Sequence, residues 1–168
     1  MLTSHELIGF MSPALAAEIL SYAFEADKPL YRTALNAVAE ARKVRPIFLE
    51  RQPRQERHAA MLTVLSRPAM ELIANNLIRN WLVKKQNAML VQFLDGLAIP
   101  HKEGVVDTLP ATVEDAKLQA AVESLLAKHP PETVAVYLLA FNDMNEAHWP
   151  NLKAMLETDS RLQLGNHS

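Results

Sequence analysis

Val134-Ala135-Val136-Tyr137-Leu138-Leu139-Ala140-Phe141 is the longest uninterrupted apolar run in the chain, and the fold class turns on it. Its β-branched and aromatic residues suit a buried strand as well as a buried helix, and a run this short has no decisive period. A strand, however, needs partners, and no other segment alternates apolar and polar residues convincingly. The run therefore reads as a central helix, and the chain as all-α.

Working outward, Pro130-Pro131 stops the preceding segment, in which Leu118, Ala121, Val122, Leu125 and Leu126 recur at helical spacing. Thr112 with Asp115 three residues on predicts a capped start for that helix, which runs to about His129. On the other side, Pro150 to Leu156 reads as a last short helix, and a frayed tail is expected near 165–168.

Toward the N-terminus, the ten prolines against four glycines mostly stand where helices begin. A proline in the first turn loses nothing, because its missing N–H has no acceptor there. Thr3 and Glu6 form a capping box, and Ser12-Pro13 opens a helix to about Ala26. Asp27 caps another, from about Pro29 to Arg42. Pro53 and Pro68 open helices near 53–65 and 68–83. Lys84 to Asn87 is either an exposed turn of a long helix or a break before Ala88 to Leu97, which Gly96 ends. Short connections between successive helices predict a compact bundle or stacked array of about seven to nine antiparallel helices in one domain over 1–168. It carries a basic extended connector near 43–52 and a long loop near 97–111.

At 168 residues, such a chain buries roughly 70% of its unfolded surface, enough for a core without staples. Cysteine is absent, which removes disulfides, thiolate metal sites and thiol nucleophiles. No apolar run approaches the 18 or so residues of a membrane span. The N-terminal apolar residues lack the basic flank of a signal peptide. A soluble, cytoplasmic protein is the expectation.

Charge is uneven. Residues 1–84 carry eleven basic and eight acidic side chains, whereas 85–168 carry six and eleven. The excess concentrates in Arg42 to His58, RKVRPIFLERQPRQERH. The anion- or partner-binding candidates are Arg42, Lys43, Arg45, Arg51, Arg54, Arg57 and His58. Arginine forks match phosphate oxygens, and Arg45 before Pro46 is pushed out of helical geometry. Set against this are Glu50 and Glu56, an acidic second half, and Phe48 as the lone aromatic of the segment. The first reading is therefore an ion-paired or solvated surface, and the second a ligand site. Ile47-Phe48-Leu49 is expected to anchor the connector in the core, the alternative being an exposed apolar patch in a basic frame.

The loop from Asp95 to Pro110 gathers His101, Glu103 and Asp107, which match no strong metal motif and stand as weak metal-ligand candidates only. His58, His129 and His148 lie near predicted helix ends or turns. No phosphate-binding glycine loop, dinucleotide fingerprint or nucleophile elbow is present, so no catalytic residue and no cofactor are assigned. The expectation is a helical binding or interaction module that leans away from enzyme activity, with protein or self-association as its partner mode. Nucleic-acid or phosphate-ligand binding through Arg42 to His58 comes second, and a metal-dependent enzyme at the His101 loop third. A membrane is not among the expected partners.

Overall fold

In a computed structural model describing residues 2–144 and 148–165, the VAVYLLAF run lies within a helix, Pro131–Met144. Val134, Ala135, Val136 and Leu138 are wholly buried and Tyr137 nearly so. A helix apolar on all sides is stable only when enclosed. That enclosure, not strand pairing, accounts for the β-branched content. Among the described residues the only β-type contact is an isolated Lys102–Val105 bridge.

Ten α-helices occur among the described residues: α1 Ser4–Phe10, α2 Pro13–Ala26, α3 Lys28–Ala41, α4 Pro46–Glu50, α5 Arg54–Leu65, α6 Glu71–Asn80, α7 Asn87–Gly96, α8 Asp115–Lys128, α9 Pro131–Met144 and α10 Pro150–Thr158. The fold is all-α. The helix count exceeds expectation because α4 is a single turn inside the connector read as extended. The expected frayed tail falls, beyond Gly165, outside the described residues.

Contacts group into two units, Thr3–Trp81 and Leu82–Ser168, the latter with Leu2. In the first, α2, α3 and α5 pack on one another and α1 packs on α6. The local signals act as read. Thr3 and Glu6 complete the capping box. Ser12 Oγ accepts from Leu15 N, and the Asp27 carboxylate from Leu30 N, both at 3.2 Å. Glu71, the first residue of α6, accepts from the N–H groups of Ser4 and His5 at 2.7 and 3.0 Å. It satisfies two orphan donors of α1 from a distant helix.

Trp81–Lys85 forms a π-helix, followed by a bend at Gln86 and a fresh start at Asn87. The polar run Lys84 to Asn87 is thus a break. In the second unit α9 packs against α8, α10 and a 3₁₀ turn at Ser160–Leu162, while α7 packs on α8. Phe93, Tyr137, Phe141 and Trp149 form a chain of ring contacts with centroids 5.4–6.0 Å apart. The Trp149 indole N–H donates to Pro110 O at 2.8 Å. The capped start at Thr112 is not formed: α8 begins at Asp115 with Glu114 as its cap residue. The Asp115 carboxylate accepts from Asn151 Nδ2 at 2.9 Å instead of reaching back.

Candidate functional site

The basic segment is placed by the end of α3. Lys43 adopts φ 57. Its N–H reaches Glu40 O at 3.1 Å, and Val44 N–H reaches Ala39 O at 3.0 Å. This is a Schellman turn with lysine in the left-handed position that glycine normally fills. Arg45 is extended, at φ −75 and ψ 143, as its place before Pro46 requires, and Pro46 opens α4.

One turn of helix then sorts its three apolar residues. Ile47 and Leu49 point about 200° apart at 3.6 residues per turn. Leu49 is buried, 2% exposed, whereas Ile47 is 42% and Phe48 56% exposed. Anchoring by all three residues is therefore corrected: Leu49 anchors alone, because a single turn has only one inner position to offer. Val44, at 38%, adds a third exposed apolar side chain. The turn is also held from below, where Arg32 pairs with the Glu50 carboxylate and Arg57 Nη1 donates to Glu50 O at 3.2 Å.

The seven candidates divide by whether the fold supplies them with partners. Arg54 donates to the Glu25 carboxylate at 3.0 Å and lies 4.5 Å above the Phe24 ring. Arg57 is half-buried, spends one donor on Glu50 O, and lies 5.3 Å from the Phe24 centroid. His58 is buried well inside α5 rather than near a helix end, with Nε2 2.9 Å from the Tyr31 hydroxyl. The fold supplies partners for all three, with His58 buried, Arg57 half-buried and Arg54 at the surface. Arg42, Lys43, Arg45 and Arg51 are exposed and, among the described residues, make no ion pair and no side-chain hydrogen bond. In sequence they interleave with Val44, Ile47 and Phe48.

Residues missed in the sequence surround His58. Ser21 and Phe24 come from α2 and Tyr31 from α3, and nothing in their spacing marks them as partners of a histidine 27 to 37 positions away. Burial, then the charges of Arg57 and Arg54, hold its imidazole down to about 4, and burial pushes the Tyr31 hydroxyl up. His58 and Ser21 border a groove of about 510 Å³ between α2 and α5, lined also by Ala17, Arg54, Gln55 and Leu62. Ser21 Oγ stands 3.5 Å from His58 Nδ1, but the pair lacks what a nucleophile and base need. Accepting a proton would create an imidazolium in a buried place beside two guanidinium groups. The other ring nitrogen meets a phenol in place of a stabilising carboxylate.

In the second unit the three weak metal candidates take separate paths. His101 Nε2 contacts Asp95 Oδ1 at 2.7 Å, and its Nδ1 accepts from Gly104 N–H at 3.0 Å. The ring thus closes its own turn. Glu103, at φ 52, presents its carbonyl to Asn87, and Asp107 is exposed. Among the described residues no group of three or more His, Cys, Asp or Glu side chains is placed to hold a metal ion. His129 Nε2 lies 3.0 Å from Gln92 Oε1. No protein-family model, curated protein or solved structure matches this chain.

Proposed function

We propose that the protein is a non-enzymatic binding module whose contact surface is the corner between α3 and α5, where it meets an anionic partner. One observation carries this reading: the basic segment splits, and Arg42, Lys43, Arg45 and Arg51 stand exposed without a carboxylate in the same short stretch as exposed Val44, Ile47 and Phe48. Arg54, by contrast, already has a carboxylate partner in Glu25. Exposed apolar groups within a polar rim are the usual mark of an interaction surface. The turn that presents them is fixed by Leu49, Arg32 and Arg57, so little ordering cost falls on binding.

Retention on immobilised heparin tests the reading. The Arg42→Gln, Lys43→Gln, Arg45→Gln, Arg51→Gln quadruple variant elutes at much lower salt than the parent, while Arg54→Gln, which removes an already paired cation, elutes close to it. Equal loss from both variants, or no retention of the parent at low salt, overturns the proposal.

Exposed Phe48 favours a second reading, since a ring among cations can stack on a base. In that case oligonucleotide anisotropy gives a log affinity falling with log salt at a slope of about −3 for four phosphate contacts on a single strand. No binding at low salt ends that reading.

A further inference from the structure

Resting on the reading above, we infer that the α3–α5 corner seats on the surface of an anionic lipid bilayer. Val44, Ile47 and Phe48 enter the boundary between headgroups and acyl chains, and Arg42, Lys43, Arg45 and Arg51 meet the headgroup phosphates. The expectation of no membrane partner rested on the lack of a spanning segment, and no helix among the described residues is long and apolar enough to cross a bilayer. Surface attachment has other requirements.

Those requirements are an apolar tip, a basic collar around it, and a rigid base. The tip is Val44, Ile47 and Phe48, 38%, 42% and 56% exposed within five consecutive residues. The collar interleaves with it in sequence, and the one acid between Arg42 and Arg51 is Glu50, already engaged by Arg32. Long basic stems let a charged head stay at the level of the phosphates while the stem follows apolar neighbours inward. Anionic leaflets attract such clusters.

Other occupants fit less well. From Ala41 to Phe48 every residue is exposed except half-buried Pro46, so the apolar groups stand out from a corner. A partner helix is more naturally received by a groove. For a nucleic acid, Ile47 and Val44 offer no stacking face. Leu72 is more exposed, at 74%, but it is a single leucine of the ordinary surface kind.

The test is sedimentation of the full chain with vesicles of phosphatidylcholine alone and of phosphatidylcholine with phosphatidylserine. The chain pellets with the second and not with the first. Phe48→Ser weakens binding about tenfold or more, from the loss of one large apolar insertion, and Arg45→Gln about fivefold. Phe48→Trp places a fluorophore at the tip, and its emission moves to shorter wavelength on anionic vesicles only. The inference falls if anionic vesicles bring down no protein, if Phe48→Ser pellets like the parent, or if the Phe48→Trp emission does not move. Should vesicles fail while heparin still retains the parent and releases the quadruple variant, the anionic-partner reading stands and the lipid falls. Failure in both assays removes both.

Discussion

Replacing His58 with Gln removes a titrating group from the interior of the first unit and so isolates its share of the pH dependence of stability. In the folded chain its imidazole is held to about 4, against an ordinary value of 6.5. As the pH falls through 6.5 the unfolded chain takes the proton and the folded chain does not, so stability is full above 6.5 and falls until the folded ring also protonates near 4. At about 1.4 kcal/mol per tenfold the whole interval corresponds to about 3 kcal/mol, of which about 2 lie between pH 7 and pH 5. The groups facing the ring are Arg54 and Arg57 from its own helix, Tyr31 from α3 and Ser21 from α2. Glu6, Glu71, Glu123 and Asp159 are held below ordinary values of 4.5 or 3.8, so the stability they supply is lost only at lower pH. Urea denaturation of parent and His58→Gln at pH 7 and pH 5 supplies the comparison, and the parent loses about 2 kcal/mol more than the variant across that interval. Equal losses, or a His58 ring proton titrating near 6.5 by NMR, refute the reasoning.

Three further perturbations have expected outcomes. Trp81→Phe and Trp149→Phe empty similar volume from fully buried sites, but the Trp81 N–H has no acceptor among the described residues whereas Trp149 holds Pro110 O. Thermal or chemical denaturation therefore finds Trp149→Phe the costlier by about 1–3 kcal/mol, and equal costs refute the contrast. Leu49→Ala costs about 2–5 kcal/mol and Phe48→Ser within about 0.5 kcal/mol; the reverse order in urea melts refutes the assignment of inner and outer positions. Lys43→Gly relieves a left-handed lysine and raises stability by about 1 kcal/mol while lowering retention on heparin. A variant less stable than the parent would contradict the turn geometry.

Signals confined to a few neighbouring residues were legible. Thr3 with Glu6, Ser12-Pro13 and Asp27 cap the helices they were read to cap, since each cap is made within three residues of chain. The VAVYLLAF run was decided by the lack of partner strands, a weaker argument that the burial of α9 supports. Features set by distant packing were not legible. Glu71 caps α1 across 66 and 67 positions, and Asn151 takes the Asp115 carboxylate on which the predicted cap at Thr112 depended. The basic segment is legible as a charge anomaly, but the split between partnered and unpartnered cations within it is not. Which arginines find partners depends on Glu25, Phe24 and Tyr31 from other helices, and which of three adjacent apolar residues turns inward depends on a helix too short to show a period.

Backbone NMR of the full chain during titration with a soluble heparin fragment tests the central claim most directly. Perturbations concentrated on Arg42 to Arg51, absent from the quadruple glutamine variant and sparing Ala17, Ser21 and Ala59 of the α2–α5 groove, are the predicted result. Perturbations centred on that groove or on the His101 loop, with Arg42 to Arg51 unmoved, would contradict it.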